Sequence, residues 1–312
     1  MNVLSGRVAF ITGAASGIGA GTARRFAQEG AKIALADVSA EEGQKLRSEI
    51  EAAGGEAIYV ECDVSEPDAV KRAIDTTVEH FGKLDIVFAN AGINGVWTPI
   101  EELQPEEWDR TLDINLKGTY LTVHFAVPHL KRNGSGSIII TSSVNGTRTF
   151  SSPGASAYSS SKAGQVAFMK MIALELGRHD IRCNAICPGA IKTNIEQRTE
   201  HRNTEPLGIE VELPAGSPAV DEGQGDVVEV ADTCLFLASD LGRHVSGVEI
   251  FVDGAHHCYG EQHQAQAARR DRSMIGWSRF HVQRCPSAVN ACRCLRPAAR
   301  ASGHLHGDHP PT

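Results

Sequence analysis

Seven short apolar runs, each divided from the next by an amphipathic helical pattern, leave this 312-residue chain very few ways to fold. The runs extend from Val8 to Ile11, Lys32 to Ala36, Ala57 to Cys62, Leu84 to Ala89, Ser137 to Thr141, Ile181 to Cys187 and Val248 to Val252. The helical patterns lie near 17 to 29, 40 to 53, 67 to 81, 105 to 132, 156 to 178 and 226 to 239. β-Branched residues dominate the runs, and unbroken apolar runs of this kind belong to parallel strands covered by helices on both faces. Right-handed crossovers between such strands give an α/β, doubly wound domain with a seven-stranded parallel sheet. The expected organisation is one such domain over residues 1–260, followed by a tail over 261–312.

Two segments break the alternation. Residues 190–225 carry Pro206, Pro214, Pro218 and many acids but no periodicity, which reads as a substrate loop beyond a strand end. From Glu261 onward the apolar pattern stops. That stretch holds eight Arg, no Lys and three acids, a composition that reads as a disordered, atypical tail. The formal net charge of −8 therefore conceals an acidic body, which argues against nucleic acid as a partner of the main domain. A basic interaction module in the tail is the one route left to such a partner. Cys285, Cys292, Cys294, His304, His306 and His309 have the donor types for zinc but no common zinc spacing, so no metal is expected. No run of about 18 apolar residues is present, and the first residues lack a charged region followed by an apolar one, so the expectation is a cytoplasmic protein without a membrane span. The earlier cysteines, Cys62, Cys183, Cys187 and Cys234, are scattered through apolar segments and read as buried thiols.

Thr12-Gly13-Ala14-Ala15-Ser16-Gly17-Ile18-Gly19 follows the first strand and opens the first helix. Gly13 suits a tight turn, Gly17 lets backbone approach a phosphate, and Gly19 permits close helix packing, while free amides at the helix start attract a pyrophosphate. A purely structural glycine turn is the alternative. Asp37 ends the second strand, where a carboxylate accepts hydrogen bonds from ribose hydroxyls and repels a 2′-phosphate. No basic residue stands at Ala15 or Val38, which favours NAD over NADP. Farther along, Tyr158 and Lys162 lie one helical turn apart on one face. An ammonium beside a phenol favours the phenolate and lowers its pKa, making the tyrosine a usable acid and base.

Taken with Asp63-Val64, Asn90-Ala91-Gly92, Asn115, Ser143 and Pro188-Gly189, these motifs closely resemble those of the short-chain dehydrogenase/reductase family, over residues 5 to 255. The resemblance implies a Rossmann-type domain and a secondary alcohol or ketone as the small-molecule substrate. It implies Tyr158 as general acid/base, Lys162 as its tuner and a ligand of the ribose, Ser143 as holder of the substrate oxygen, and Asn115 as the residue that opens a helix around a relay water. Cofactor contacts are implied for Gly13, Ser16, Gly17, Ile18, Gly19, Asp37, Asp63, Val64, Asn90, Ala91, Gly92, Tyr158, Lys162, Pro188, Gly189, Ile191 and Thr193. Asp63 is implied to meet the adenine amino group, and Asn90 to Gly92 to support the fourth strand beneath the cofactor. Assembly as a dimer or homotetramer through the helices near 105 to 132 and 156 to 178 is implied too.

Ser142 competes with Ser143, and the register of the following Val144-Asn145-Gly146 favours Ser143. The stretch from Ser143 to Tyr158 is slightly longer than usual for the family, near Thr149 to Ser152. The expected activity is NAD(H)-dependent oxidation or reduction at a secondary alcohol or ketone. An NADPH-dependent 3-oxoacyl reductase is the alternative, and a non-catalytic NAD-binding regulator a more distant one.

Overall fold

The computed structural model describes residues 2–148, 152–207 and 224–255. The expected tail at 261–312, with its cysteines and histidines, lies outside them, as do the middle of the expected substrate loop and residues 149–151 of the lengthened rim. Seven strands form one sheet: β1 Val8–Thr12, β2 Lys32–Asp37, β3 Glu56–Glu61, β4 Ile86–Ala89, β6 Gly136–Thr141, β7 Ile181–Pro188 and β9 Glu249–Val252. Every pairing in it is parallel, in the order β3-β2-β1-β4-β6-β7-β9. The chain runs outward from β1 to β3 and then returns to β4 on the other side of β1. That reversal opens a crevice at the carboxyl ends of β1 and β4.

Residues in a strand alternate between the two faces, and the packing follows that alternation. Val8 and Phe10 of β1, Ala34 and Ala36 of β2, and Ile138 and Ile140 of β6 belong to one core. On that face they meet α3 Pro67–Phe81, α5 Gly118–Asn133 and α6 Ser156–Leu176. Ala9, Ile11, Ile33, Leu35 and Ile139 point the other way, against α1 Gly17–Gln28, α2 Ala40–Ala52 and α7 Val227–Ala238. Burial on both faces is why the strands read as unbroken apolar runs rather than as alternating ones.

The helix expected over 105 to 132 is divided. α4 Pro105–Leu112 passes into a π-helical turn at Asp113–Lys117 before α5 begins. Within it the Asn115 carbonyl accepts from Gln165 Nε2 at 2.8 Å and from Thr119 Oγ1 at 2.7 Å. Those side chains fix the irregularity in place, so it is a built feature of the site's floor.

A second departure concerns the expected loop at 190–225. Within it, β8 Glu200–His201 pairs in parallel with β5 Val96–Trp97, making a small two-stranded sheet at the rim. Two-residue strands carry no periodicity, so only tertiary proximity reveals them. The Arg202 guanidinium fastens the pair to α4 through two bonds of 2.9 Å to Glu107.

Candidate active site

The turn from β1 into α1 has the geometry of an anion cradle. Gly13 and Gly17 adopt left-handed φ values of +63° and +51°. A Cβ on Gly13 would come within 2.9 Å of Ala91 Cα, and one on Gly17 within 3.3 Å of Thr193 Cγ2. Gly19 is tighter still, since a Cβ there would lie 2.1 Å from the Gly13 carbonyl oxygen. Ser16 takes the N-cap position of α1 in extended conformation with no side-chain capping bond, which leaves the first-turn amides available to a ligand. No acidic residue stands in that turn to oppose an anion. Ile18 turns inward and packs against the α1-side core. The cradle fits the pyrophosphate of a dinucleotide. Gly19→Ala is expected to force the turn open and weaken NAD binding at least about tenfold; isothermal titration with NAD against the parent protein checks it.

Asp37 stands half-buried at the end of β2. Its Oδ2 accepts from the Ala15 amide and its Oδ1 from the Ser39 amide, both at 2.9 Å. The carboxylate is thereby aimed along the glycine turn, and each oxygen retains a lone pair for a further donor. Val38 next to it is 61% exposed. Asp63 is exposed after β3 and binds both the amide and the hydroxyl of Ser65, while Val64 is buried against Gly118.

Asn90 and Ala91 tie β4 to the glycine turn. Both of their amides donate to Thr12 Oγ1, at 3.0 and 3.1 Å, and Asn90 Nδ2 donates to the carbonyls of Thr12 and Gly13. Asn90 Oδ1 accepts from Thr141 at the end of β6. Three strand ends are thus linked through one side chain. Thr12, whose hydroxyl anchors two of these bonds, carries no sequence signal beyond its place before Gly13. Gly92 lies beside the buried groups, where a Cβ would meet Asn115 Oδ1 at 3.2 Å and Lys162 Nζ at 3.4 Å. Beyond β7, Pro188 accepts from the Val144 amide and Gly189 packs on Asp253. Ile191 bridges to Gly225, and Thr193 leans on Gly17. The glycine turn, Asn90 to Gly92 and Thr193 therefore stand together at the carboxyl ends of β1 and β4.

Ser143, Tyr158, Lys162 and Asn115 converge at one end of the crevice. Ser142 Oγ donates to the Lys162 carbonyl at 2.9 Å and is buried, which removes it from the crevice. Ser143 Oγ accepts from the Asn145 amide and lies within hydrogen-bonding reach of the Tyr158 hydroxyl. Lys162, only 4% exposed, donates from Nζ to the Thr141 carbonyl at 2.9 Å. That nitrogen stands 5.6 Å from the centre of the Tyr158 ring. The side chain of Asn115 donates to the Ile93 carbonyl and to Ser161 Oγ and accepts from the Ile93 amide. Ser161 in turn donates to the Tyr158 carbonyl at 2.6 Å, so the π-turn holds the catalytic helix directly. Ser161 sits within the Tyr158 to Lys162 stretch and Gln165 one turn after Lys162; neither has a sequence signature.

One electrostatic expectation is corrected. Burial pushes the Tyr158 phenol above its ordinary pKa, with the Ser143 hydroxyl pulling the other way. Burial also lowers the neighbouring Lys162 ammonium, to about 8. Both groups pay for desolvation before any ligand arrives. Beneath them, burial raises the Cys187 thiol to about 11, which keeps it protonated and inert.

The rim segment from Asn94 to Thr98, read from the sequence as one that shapes the pocket, brings an aromatic ring to the site. The Trp97 ring lies 6.4 Å from the Tyr158 ring, centre to centre. Among the described residues, no helix is long and apolar enough to cross a membrane.

The family model described as Enoyl-(Acyl carrier protein) reductase matches residues 13–257. Tropinone reductase-like 1 from Erythroxylum coca is 38% identical over 256 residues, covering 81% of this chain and 91% of the relative. A crystal structure of a 3-ketoacyl-ACP reductase from Sinorhizobium meliloti 1021 is 48% identical with a TM-score of 0.77, covering 80% of this chain and 99% of that one. Carveol dehydrogenase from Mycobacterium avium, solved in complex with NAD, is 32% identical with a TM-score of 0.71, covering 80% of this chain and 97% of its own.

Proposed function

Because the chain belongs to the short-chain dehydrogenase/reductase family and is an oxidoreductase acting on CH–OH groups, we propose that it is an NAD(H)-dependent dehydrogenase of secondary alcohols. The observation that carries this reading is the meeting of Ser143, Tyr158 and buried Lys162 at one end of the glycine-lined crevice. Tyr158, as phenolate, takes the proton of the alcohol and holds it at its phenolic oxygen; in the reverse direction it returns that proton to the alkoxide. Ser143 donates to the substrate oxygen and steadies the charge that develops there. Lys162 offsets the negative charge on the phenolate and offers its remaining N–H bonds to the ribose hydroxyls. Asn115 keeps the π-turn open beside them and positions a relay water. A bound NAD supplies the hydride acceptor.

Asp37 supports NAD over NADP. Its carboxylate is fixed at the β2 end by two amides, where a ribose 2′-phosphate would meet a negative charge. The NAD complex of carveol dehydrogenase is in keeping with this choice. A bound dinucleotide would be held by Gly13, Ser16, Gly17, Ile18 and Gly19 at its pyrophosphate, by Asp63 and Val64 at its adenine, and by Pro188, Gly189, Ile191 and Thr193 toward its nicotinamide. The double variant Asp37→Ser with Val38→Arg is expected to move the NADP/NAD ratio of kcat/KM upward about a hundredfold. Serine, unlike alanine, keeps an acceptor for the turn amides. An unchanged ratio would remove Asp37 from the ribose.

The primary test of the function is NADH formation by the purified protein across secondary alcohols, polyols and hydroxy acids. Reduction of a 3-oxoacyl group with NADPH is the second reading, favoured by the 48% identical 3-ketoacyl-ACP reductase and opposed by Asp37. Exposed Tyr120, Met171 and Leu174 on α5 and α6 support assembly as a dimer or tetramer.

A further inference from the structure

Trp97 stands beside the phenol that carries the proton, with its ring tilted 47° to that of Tyr158. The indole Nε1 donates to the Asn94 carbonyl at 3.1 Å, so its polar edge is satisfied within the protein and the rest of the ring is an apolar surface. His201 meets it edge-on, with ring centres 5.2 Å apart. The backbone around the indole is held from two directions. Arg202 N donates to the Trp97 carbonyl at 2.9 Å, and Thr98 N to the Gly154 carbonyl at 3.2 Å. Arg202 is itself clamped on Glu107 and on the Glu102 carbonyl. The ring is therefore fixed in place before any substrate binds, yet it remains only half-buried.

A large aromatic ring left partly open to solvent next to a reacting group gains by being covered. A carbon skeleton whose oxygen is held by Tyr158 and Ser143 has this ring within reach, 6.4 Å from the phenol ring, centre to centre. A rigid saturated ring presents several C–H bonds to the indole at once and has no torsions to freeze, whereas an open chain loses rotational freedom to make the same contact. The Arg202 guanidinium beside this wall is already paired with Glu107 and bonded to the Glu102 carbonyl, which leaves it poorly placed to bind a substrate carboxylate.

We propose that Trp97 is a specificity-determining residue and that the preferred substrates are alicyclic secondary alcohols and their ketones, seated with the saturated ring against the indole. This rests on the alcohol dehydrogenase reading above and narrows it.

Cyclohexanol and 2-hexanol have six carbons each and differ in the ring, so they isolate the effect. With the full-length protein and NAD, kcat/KM is expected to favour cyclohexanol about tenfold, the scale on which an apolar wall discriminates. Trp97→Ala is expected to erase most of that preference and Trp97→Phe to keep most of it, with NAD affinity by titration calorimetry unchanged in both. If Trp97→Ala loses the fold, Trp97→Leu, which keeps apolar volume without a flat face, is read in its place. Equal losses for the two alcohols in the variants would make Trp97 a structural residue and overturn the proposal. So would equal kcat/KM values for the native protein, which leave the dehydrogenase reading standing. A native protein that binds NAD but turns over neither alcohol nor any other in the wider screen overturns both.

Discussion

Tyr158→Phe is expected to lower kcat for alcohol oxidation about a thousandfold, within the usual range for loss of a positioned general base. NAD affinity is expected to change little, because the phenol contributes one hydroxyl and the glycine turn, Asp37 and Lys162 are left in place. The reason for so large an effect lies in the surroundings of the oxygen. Ser143 lies within reach of the Tyr158 hydroxyl, but its own Oγ accepts from the Asn145 amide and a serine hydroxyl is a far weaker base at neutral pH. Ser142, the other hydroxyl in the sequence pair, is turned away toward the Lys162 carbonyl. Single-turnover measurement with saturating NAD separates the chemical step from binding. Oxidation that persists at more than a tenth of the native rate would show that another group removes the proton.

Lys162→Met is expected to have two opposite effects. The native ammonium is held at about 8 by burial, below its ordinary 10.5. A lowered folded-state pKa means that the unfolded chain binds more protons between those values, so native stability rises as pH climbs from about 8 to 10.5, and the full penalty applies below 8. Removing the charge removes that penalty. The cofactor-free variant should be more stable than the parent at pH 7 by about 2 kcal/mol, after allowing for the lost bond to the Thr141 carbonyl. The gain should fade toward pH 10.5. Activity should move the other way. Without the cation the phenolate is less favoured, so the acidic limb of the pH profile for kcat/KM shifts upward and turnover at neutrality drops about a hundredfold. Urea unfolding at several pH values and a pH series of kcat/KM read the two effects separately. A variant less stable at pH 7 than at pH 10, relative to the parent, would mean that the lysine is not paying a burial penalty.

The sheet was legible because burial on both faces writes itself as unbroken β-branched runs, and Val8 to Ile11 or Ser137 to Thr141 admit no other element. The proposed catalytic pair was legible because Tyr158 and Lys162 are close in sequence on a single helix. What stayed hidden depends on distant segments meeting. Nothing in Asp113-Ile114-Asn115-Leu116-Lys117 announces a π-turn, since the groups that donate to the Asn115 carbonyl come from Thr119 and from Gln165 on α6. The small rim sheet was missed for the same reason, its strands being two residues long and about a hundred residues apart. The sign of the Tyr158 shift was missed because spacing reveals a neighbour's charge but not how strongly the surroundings desolvate both groups.

The rim sheet also has a bearing on how this protein can change over evolutionary time. Tyr158, Lys162 and Ser143 hang from β6 and α6, which are locked into the core, whereas Trp97 and His201 ride on connecting segments joined by a few backbone bonds and by Asn94 to Thr199, and tied to α4 through Arg202 and Glu107. Substitutions in those segments can exchange one substrate for another without moving the groups that transfer the proton. Diversification of substrate range is thus uncoupled from the chemistry, and a lineage carrying this scaffold can explore new alcohols while the reaction itself stays intact.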